Sequence, residues 1–538
     1  MNLNYSGIKN TAEWEKAGVS LPAYDWQEMR DETLNAPVWL HFGPGNIFRG
    51  YIARLQDELL NKGLVKSGII AAVPSDKESI SMIFEPYDNM CLSVSLMPDG
   101  KIEKRVIASV AKVFSTAPED SEDIAALKKI AASGSLQMIS FTITEKGYAL
   151  KGIDGEYLPA ALNDFEKGPG KCVHAMGKIC ELLLERFKEG GTPVAVVSMD
   201  NCSHNGEILR NSVLTVAEKW NENGFVDKEF ADWLSDEEKV AFPWSMIDKI
   251  TPGPDSSVEK MLLDAGISDA AIKTNSRGRP LAAFVNSEAP EYLVIEDRFP
   301  NGRPSLEKAG VYFTDRDTVS KTERMKVTTC LNPLHTALAV YGCLLGYTWI
   351  WQEMEDPQLC RLVNKIGYTE GLPVVTDPGI ISPREFLDTV VNKRLPNPFM
   401  PDAPQRIASD TSQKIPIRFG ETVKSYIASD ELDVQQLTFI PLAIAGWVRY
   451  LLGINDEGEP FVCSGDPMLE LLQKQLESVR YDDPDSLGDK LSPVLSNSSL
   501  FAVDLVKAGL SEKIEGMVKE MLQGKGAVRA CLVKYLGQ

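Results

Sequence analysis

Three observations predict an α/β amino-terminal half followed by an all-α carboxyl-terminal half. Short apolar runs alternate with helical patterns from Pro37 to Met199, which is how a doubly wound sheet reads. The first run ends in a glycine-rich turn, Gly43 to Gly50. After about Asp317 strand-like runs become rare and helical spacing dominates. The expected domains are therefore 1–316 and 317–538.

The elements follow in order. Pro37 to Phe42 is apolar and stops at Gly-Pro-Gly, a buried strand. Asn46 to Lys62 carries Ile47, Phe48, Tyr51, Ile52, Leu55 and Leu59 at helical spacing, and Gly68 to Val73 is a second strand. Together they form a βαβ unit. Leu92 to Leu96 and Ile102 to Val113 read as a hairpin across Pro98-Asp99-Gly100. Gln137 to Thr144 and Pro193 to Met199 are further strands, with helices at Glu122 to Ala132 and His174 to Phe187. In the second half, helices are expected over Thr336–Trp351, Pro357–Ile366, Pro383–Asn392, Ile417–Ala428, Gln435–Leu452, Asp466–Val479 and Leu500–Leu522. The proline-rich Leu395 to Pro404 reads as a connection.

Bulk properties exclude several functions. The 538 residues carry a formal charge of −20, which opposes nucleic-acid binding. The longest apolar stretch, Ala337 to Trp351, has 15 residues, short of the roughly 20 a membrane span needs. The polar start, Met1 to Glu13, is not a signal peptide. Nine scattered cysteines without a Cys-x-x-Cys pair read as reduced thiols of a cytoplasmic protein. The four histidines form no metal-binding pair, so no metal is expected.

Two segments carry the chemistry. In a dinucleotide-binding turn, Gly43 permits the bend, Gly45 admits a pyrophosphate, and the helix from Asn46 meets its charge. Phe48 stands where a third glycine is usual, so the segment also fits an ordinary strand-to-helix turn. Arg49 reaches a phosphate or decorates the helix, and Asp76 holds a ribose hydroxyl or sits in a solvated loop. The second segment is Lys326-Val-Thr-Thr-Cys-Leu-Asn332-Pro-Leu-His335. A buried amine can lose its proton near neutral pH, because desolvation disfavours the charged form, which makes Lys326 a candidate general base beside Asn332 and His335. A snorkelling lysine and a helix-capping asparagine fit the same residues. Together the two segments suggest a dehydrogenase with a nucleotide half and a substrate half.

Several motifs taken together resemble the polyol-specific long-chain dehydrogenases, the mannitol dehydrogenase family. They are Gly43-x-Gly45-Asn46-x-x-Arg49, Thr142-Ile-Thr-Glu-Lys-Gly-Tyr148, Ser198-Met-Asp-Asn201 with His204-Asn-Gly206, and Trp244 to Pro252. Further matches are Ile295-Glu-Asp297 with Asn301-Gly-Arg-Pro304, Arg406-Ile-Ala408 and Lys414-Ile-Pro416. The resemblance implies a Rossmann-type nucleotide domain and a mostly helical substrate domain, with metal-independent NAD(P)(H) chemistry. Gly43, Gly45, Asn46, Ile47, Phe48, Arg49 and Asp76 are then cofactor-side residues. Lys326 is the general base, with Asn201, Asn332 and His335 around the reacting oxygen, and Asp248, Arg406 and Lys414 hold the substrate.

One spacing departs from the family pattern. Lys326 and Asn332 stand six positions apart where the family has five. An extra residue turns a helical side chain by about 100°, and a local π-bulge would absorb it. Length and overall character resemble the hexuronate reductase branch. That implies fructuronate and mannonate as substrates, with NAD as cofactor, since Asp76 would repel a 2′-phosphate. A mannitol or arabinitol dehydrogenase or a tagaturonate reductase is the alternative, and a catalytically silent sugar- or nucleotide-binding protein is the reading from another class. The family includes monomers, and a monomer is expected.

Overall fold

The structure is a computed structural model and describes every residue except Pro98, Ile153, Pro401 and Gln538. The chain divides into two compact units, Met1–Ser320 and Lys321–Gln538.

The first unit is built on a six-stranded parallel sheet. Its strands are β1 (Trp39–Phe42), β2 (Ile69–Val73), β3 (Val110–Ser115), β4 (Met138–Phe141), β5 (Val194–Ser198) and β6 (Val240–Ala241). The spatial order is β3-β2-β1-β4-β5-β6, the doubly wound arrangement of dinucleotide folds. Strand alternation divides the core. Leu40, Phe42, Ile70, Ala72, Ile139 and Phe141 pack on one face of the sheet. Trp39, Ile69, Ala71, Val73, Met138 and Val197 pack on the other. Both faces are covered, which is why these strands read as unbroken apolar runs. The strand order reverses at β1, which pairs with β2 on one side and β4 on the other. Ligands bind at the carboxyl ends of strands beside such a reversal.

Some expected elements are divided differently. Ile102 to Val113 is two strands in two sheets, broken at Ala108-Ser109. Ile102–Ile107 pairs antiparallel with Cys91–Leu96, as the hairpin reading requires, while Val110–Ser115 joins the parallel sheet. The break is stapled by Ala108 N–H donating to Asp57 and Ser109 Oγ donating to the Ala53 carbonyl. Pro98 of the turn lies outside the described residues. The helix Asn205–Glu222 has no clear sequence signal, because its polar start resembles a loop.

The second unit is helical, and no strand is assigned among its described residues. Helix Asn332–Leu345 lies at its centre, packed against Phe439–Tyr450. It begins four residues before the expected Thr336, because Pro333 occupies a first-turn position where its missing N–H costs nothing. It ends before Trp351, at Gly346, which takes φ +77°. The expected Leu500–Leu522 helix is two shorter ones, Ser498–Phe501 and Ser511–Met521. No helix among the described residues is long and apolar enough to cross a membrane.

Candidate active site

The glycine turn sits at the carboxyl end of β1. Gly43 has φ +87°, and a Cβ there would stand 2.3 Å from the Thr142 carbonyl oxygen. Left-handed backbone and close approach both demand glycine. Thr142 Oγ1 donates to the Gly43 carbonyl at 2.7 Å and fixes the bend. Gly45 differs, because a Cβ there would meet only the Gly43 oxygen at 3.9 Å. The space beside it is open. Arg49 N–H donates to the Gly45 carbonyl, so the N–H groups of Asn46, Ile47 and Phe48 precede the first helical bond of this turn. A bare backbone cradle at a helix N-terminus fits a pyrophosphate.

Two of the cofactor-side residues turn their side chains inward from the turn. Phe48 is fully buried and its ring stacks on His41 at 4.1 Å between centroids. It turns into the core, so the place of the third glycine leaves the cradle unobstructed. Burial pulls the His41 imidazole down to about 3, and its ring nitrogens meet Ser140 and Thr142. Arg49 is 2 % exposed and neither meets solvent nor decorates the helix. It donates to the Ala282 carbonyl at 2.7 Å and to Asn46 Oδ1 at 2.9 Å. Asn46 in turn donates to the Pro252 carbonyl at 2.8 Å. Arg49 thereby ties the turn to Ala282 and Asn46.

Asp76 follows β2 and accepts from Asn275 at 2.9 Å. It lines a cavity of about 370 Å³ at the ends of β2 and β3, shared with Val73, Ser115, Lys178 and Arg277. The turn and Asp76 thus occupy the carboxyl edge of one sheet. Among the described residues, no group of three or more His, Cys, Asp or Glu side chains is placed to hold a metal ion.

The Thr-Glu-Lys-Gly-Tyr segment is tied to β5 by Asp200. Its carboxylate accepts from Ile143 N–H at 2.8 Å, Thr144 N–H at 3.1 Å and Tyr148 Oη at 2.6 Å. Burial raises the Asp200 carboxyl, and these donors oppose the rise. Asn201 follows it on the surface. Asn205 is buried, donates to the Asp200 and Ser245 carbonyls at 3.0 Å each, and accepts from Ser245 N–H. It joins β5 to the strand Ser245–Asp248, whose last residue, Asp248, is buried. The Asp-Asn and His-Asn-Gly motifs therefore carry positioning residues beside the substrate-side candidates, and sequence reasoning missed the roles of Asp200 and Asn205.

The second unit assembles the other candidates. Lys326 is 2 % exposed and opens a π-helical turn, Lys326–Cys330. Leu331 N–H donates to the Lys326 carbonyl at 3.1 Å, five residues back. The wide turn takes up the extra residue between Lys326 and Asn332, as the spacing argument expects. Asn332 is half-buried at the start of the next helix. One turn on, His335 Nε2 lies 2.7 Å from Asp402 Oδ2, and Arg406 donates to the other oxygen of Asp402. Burial raises the Asp402 carboxyl, but His335 and Arg406 more than offset it and hold it below the usual range. Lys414 donates to the Ile407 carbonyl at 3.0 Å and to that of Ser409. Its amine is lowered to about 8 by burial and then by Arg418. Arg418 donates to Thr336 Oγ1 at 2.5 Å, and that hydroxyl donates to the Asn332 carbonyl. Asp402 and Arg418 were not foreseen. Arg418 had a weak signal, since it stands one turn past Lys414 on the same helical stretch.

A glycine turn at the reversal of a doubly wound sheet, with a separate helical unit carrying a buried lysine, describes a dehydrogenase architecture. Residues 38–308 match the mannitol dehydrogenase Rossmann domain and residues 318–522 the mannitol dehydrogenase C-terminal domain. The chain belongs to the mannitol dehydrogenase family. It is 50 % identical over 540 residues to D-mannonate oxidoreductase of Thermotoga maritima, covering 100 % of this chain and 99 % of that protein. It is 30 % identical to polyol:NADP oxidoreductase of Gluconobacter oxydans over 86 % of this chain and 88 % of that one. Among solved structures it is similar to Pseudomonas fluorescens mannitol 2-dehydrogenase in a ternary complex with NAD and D-mannitol. That likeness has a TM-score of 0.71 and 27 % identity, with 100 % of both chains covered. A substrate-free D-sorbitol dehydrogenase has a TM-score of 0.80 and 26 % identity, with 99 % of this chain and 100 % of that one covered.

Proposed function

We propose that this protein is an NAD(H)-dependent oxidoreductase interconverting a keto-hexuronate, D-fructuronate, and its hexonate, D-mannonate. The observation that carries the reading is the end-to-end match, at 50 % identity, to a D-mannonate oxidoreductase. The open backbone cradle at Gly45 and the acidic Asp76 support a dinucleotide without a 2′-phosphate.

The cofactor, when bound, supplies or accepts the hydride. Lys326 handles the proton. In oxidation its neutral Nζ takes the proton of the substrate hydroxyl, and in reduction its ammonium returns a proton to that oxygen. Lys326 is buried, so this proton exchange takes place away from bulk water. Asn332 donates to the same oxygen, where negative charge develops. His335, oriented by Asp402, holds a neighbouring hydroxyl. Arg406 and Lys414 give a cationic end to the second unit's cluster, suited to a carboxylate. Asn201 and Asp248 keep the substrate-side roles that the resemblance gives them.

An absorbance assay of NADH consumption tests the proposal. Fructuronate is expected to be reduced far faster than fructose, and NADPH to serve poorly. Reduction of fructose but not fructuronate would replace the uronate reading with a polyol one. No turnover with any keto sugar would leave a binding protein.

A further inference from the structure

The first unit holds a second polar cavity, on a different sheet from the glycine turn. Four strands, Val19–Ser20, Ile102–Ile107, Cys91–Leu96 and Phe284–Glu288, form that sheet. One face is apolar and packs Leu92, Val94, Leu96, Val106 and Phe284. The alternate positions are polar. Ser93 stands opposite Arg105 and Ser95 opposite Glu103 in register, with Ser20 beside Arg105. This face opens on a cavity of about 560 Å³ that Arg54 and Lys249 also line, within the range of small-ligand sites.

The charges in it do not balance. Arg54 and Lys249 share Glu291, with Lys249 at 2.9 Å, and Arg54 also reaches Glu58 at 3.5 Å. Lys101 pairs with Glu103 at 3.0 Å. Lys104 turns its amine onto the Ala17 carbonyl. Arg105 is half-buried and paired in the sheet through its backbone, and its guanidinium makes no side-chain hydrogen bond or ion pair among the described residues. Asp57 lies within its field, but spends its oxygens on Tyr24, Asn61 and the Ala108 N–H. A second feature points the same way. Ser93 is 2 % exposed, lines the cavity, and its Oγ has no hydrogen-bond partner. Ser287, in register with Ser95, carries another buried hydroxyl without a partner. Buried hydroxyls are rarely left unsatisfied in a protein with nothing to bind there.

We propose that this cavity is an anion site for a phosphate group, either free phosphate or a phosphate monoester, separate from the nucleotide turn. The guanidinium of Arg105 supplies a fork of donors and the Ser93 and Ser95 hydroxyls supply single ones from the sheet beneath. Donors from several directions suit a tetrahedral oxyanion better than a planar carboxylate, which a guanidinium alone satisfies. The site stands out because the whole chain carries a formal charge of −20, so an excess of positive charge in one cavity is a local construction.

Calorimetric titration of the full protein with inorganic phosphate, at saturating NADH so that the glycine turn is filled, is the test. The wild type is expected to bind one phosphate, and Arg105→Ala to weaken it by about tenfold or more. Ser93→Ala is expected to weaken phosphate binding while leaving the melting temperature unchanged or raised, since the lost hydroxyl had no partner. A hexose 6-phosphate in a parallel titration identifies the source: tighter than phosphate marks a monoester, weaker marks the free anion. Absence of binding, equal affinity in Arg105→Ala and wild type, or tighter binding of malonate than of phosphate would overturn the assignment.

Discussion

The glycine turn of the first unit and the His335 cluster of the second are made from different materials. The turn offers backbone: a left-handed Gly43, an unobstructed Gly45, and helix N–H groups. Its bulky neighbours, Phe48 and Arg49, turn inward and hold the loop from behind. The His335 cluster offers side chains, each set by another: Asp402 orients His335 and takes Arg406, while Arg418 fixes Thr336. Backbone sites tolerate variation at every position except those that must lack a Cβ. Side-chain sites depend on each partner, and their charges move with pH.

The largest effect that would sharpen this contrast is at Lys326. Lys326→Ala is expected to lower kcat by about 10²–10⁴-fold, while NADH affinity, read by fluorescence titration, stays within a few-fold. A variant with near-normal turnover would remove the lysine from the mechanism. Next is Phe48, whose role is packing. Phe48→Ala is expected to cost about 3–5 kcal/mol of stability in chemical denaturation, with NADH affinity per folded molecule little changed. Lost affinity at full stability would make it a ligand contact.

The two glycines separate conformation from access. Gly43→Ala is expected to destabilise the protein by about 1–3 kcal/mol through strain and more through its clash with Thr142. Gly45→Ala is expected to leave thermal melting unchanged and to weaken NADH binding alone. Equal melting losses in both would erase the distinction.

The smallest effect is a titration. Lys414, at about 8, is charged below that pH and neutral above it. If its ammonium holds a substrate carboxylate, KM for the uronate should rise about fivefold from pH 8 to pH 9 at constant kcat. Lys414→Arg should flatten that rise. The stability sign is opposite. The folded pKa lies below the ordinary 10.5, so between about 8 and 10.5 the unfolded chain binds more protons and this group's contribution improves as pH rises.

Legibility in the sequence followed the range of the interactions. The βαβ start, the glycine turn and the alternation of strands and helices were readable because each rests on spacing within a dozen residues. The switch between two sheets at Ala108-Ser109 was not, since an apolar run looks the same whether it pairs with one neighbour or changes partner. The π turn after Lys326 was readable only through a count of six against five. Asp402 was invisible, because it stands 67 positions from the histidine it orients.

The order of amino acids was enough for the parallel sheet, the helical second half and the family, because periodicity and motif are local and survive without packing. Which polar groups meet was settled by folding alone. Arg49 facing inward, Asp200 bridging two loops, and Arg105 beside a buried Ser93 on the neighbouring strand all depend on residues distant in the chain. Side-chain hydrogen bonds and ion pairs are short-ranged, so contacts between such positions exist once the backbone has brought them together.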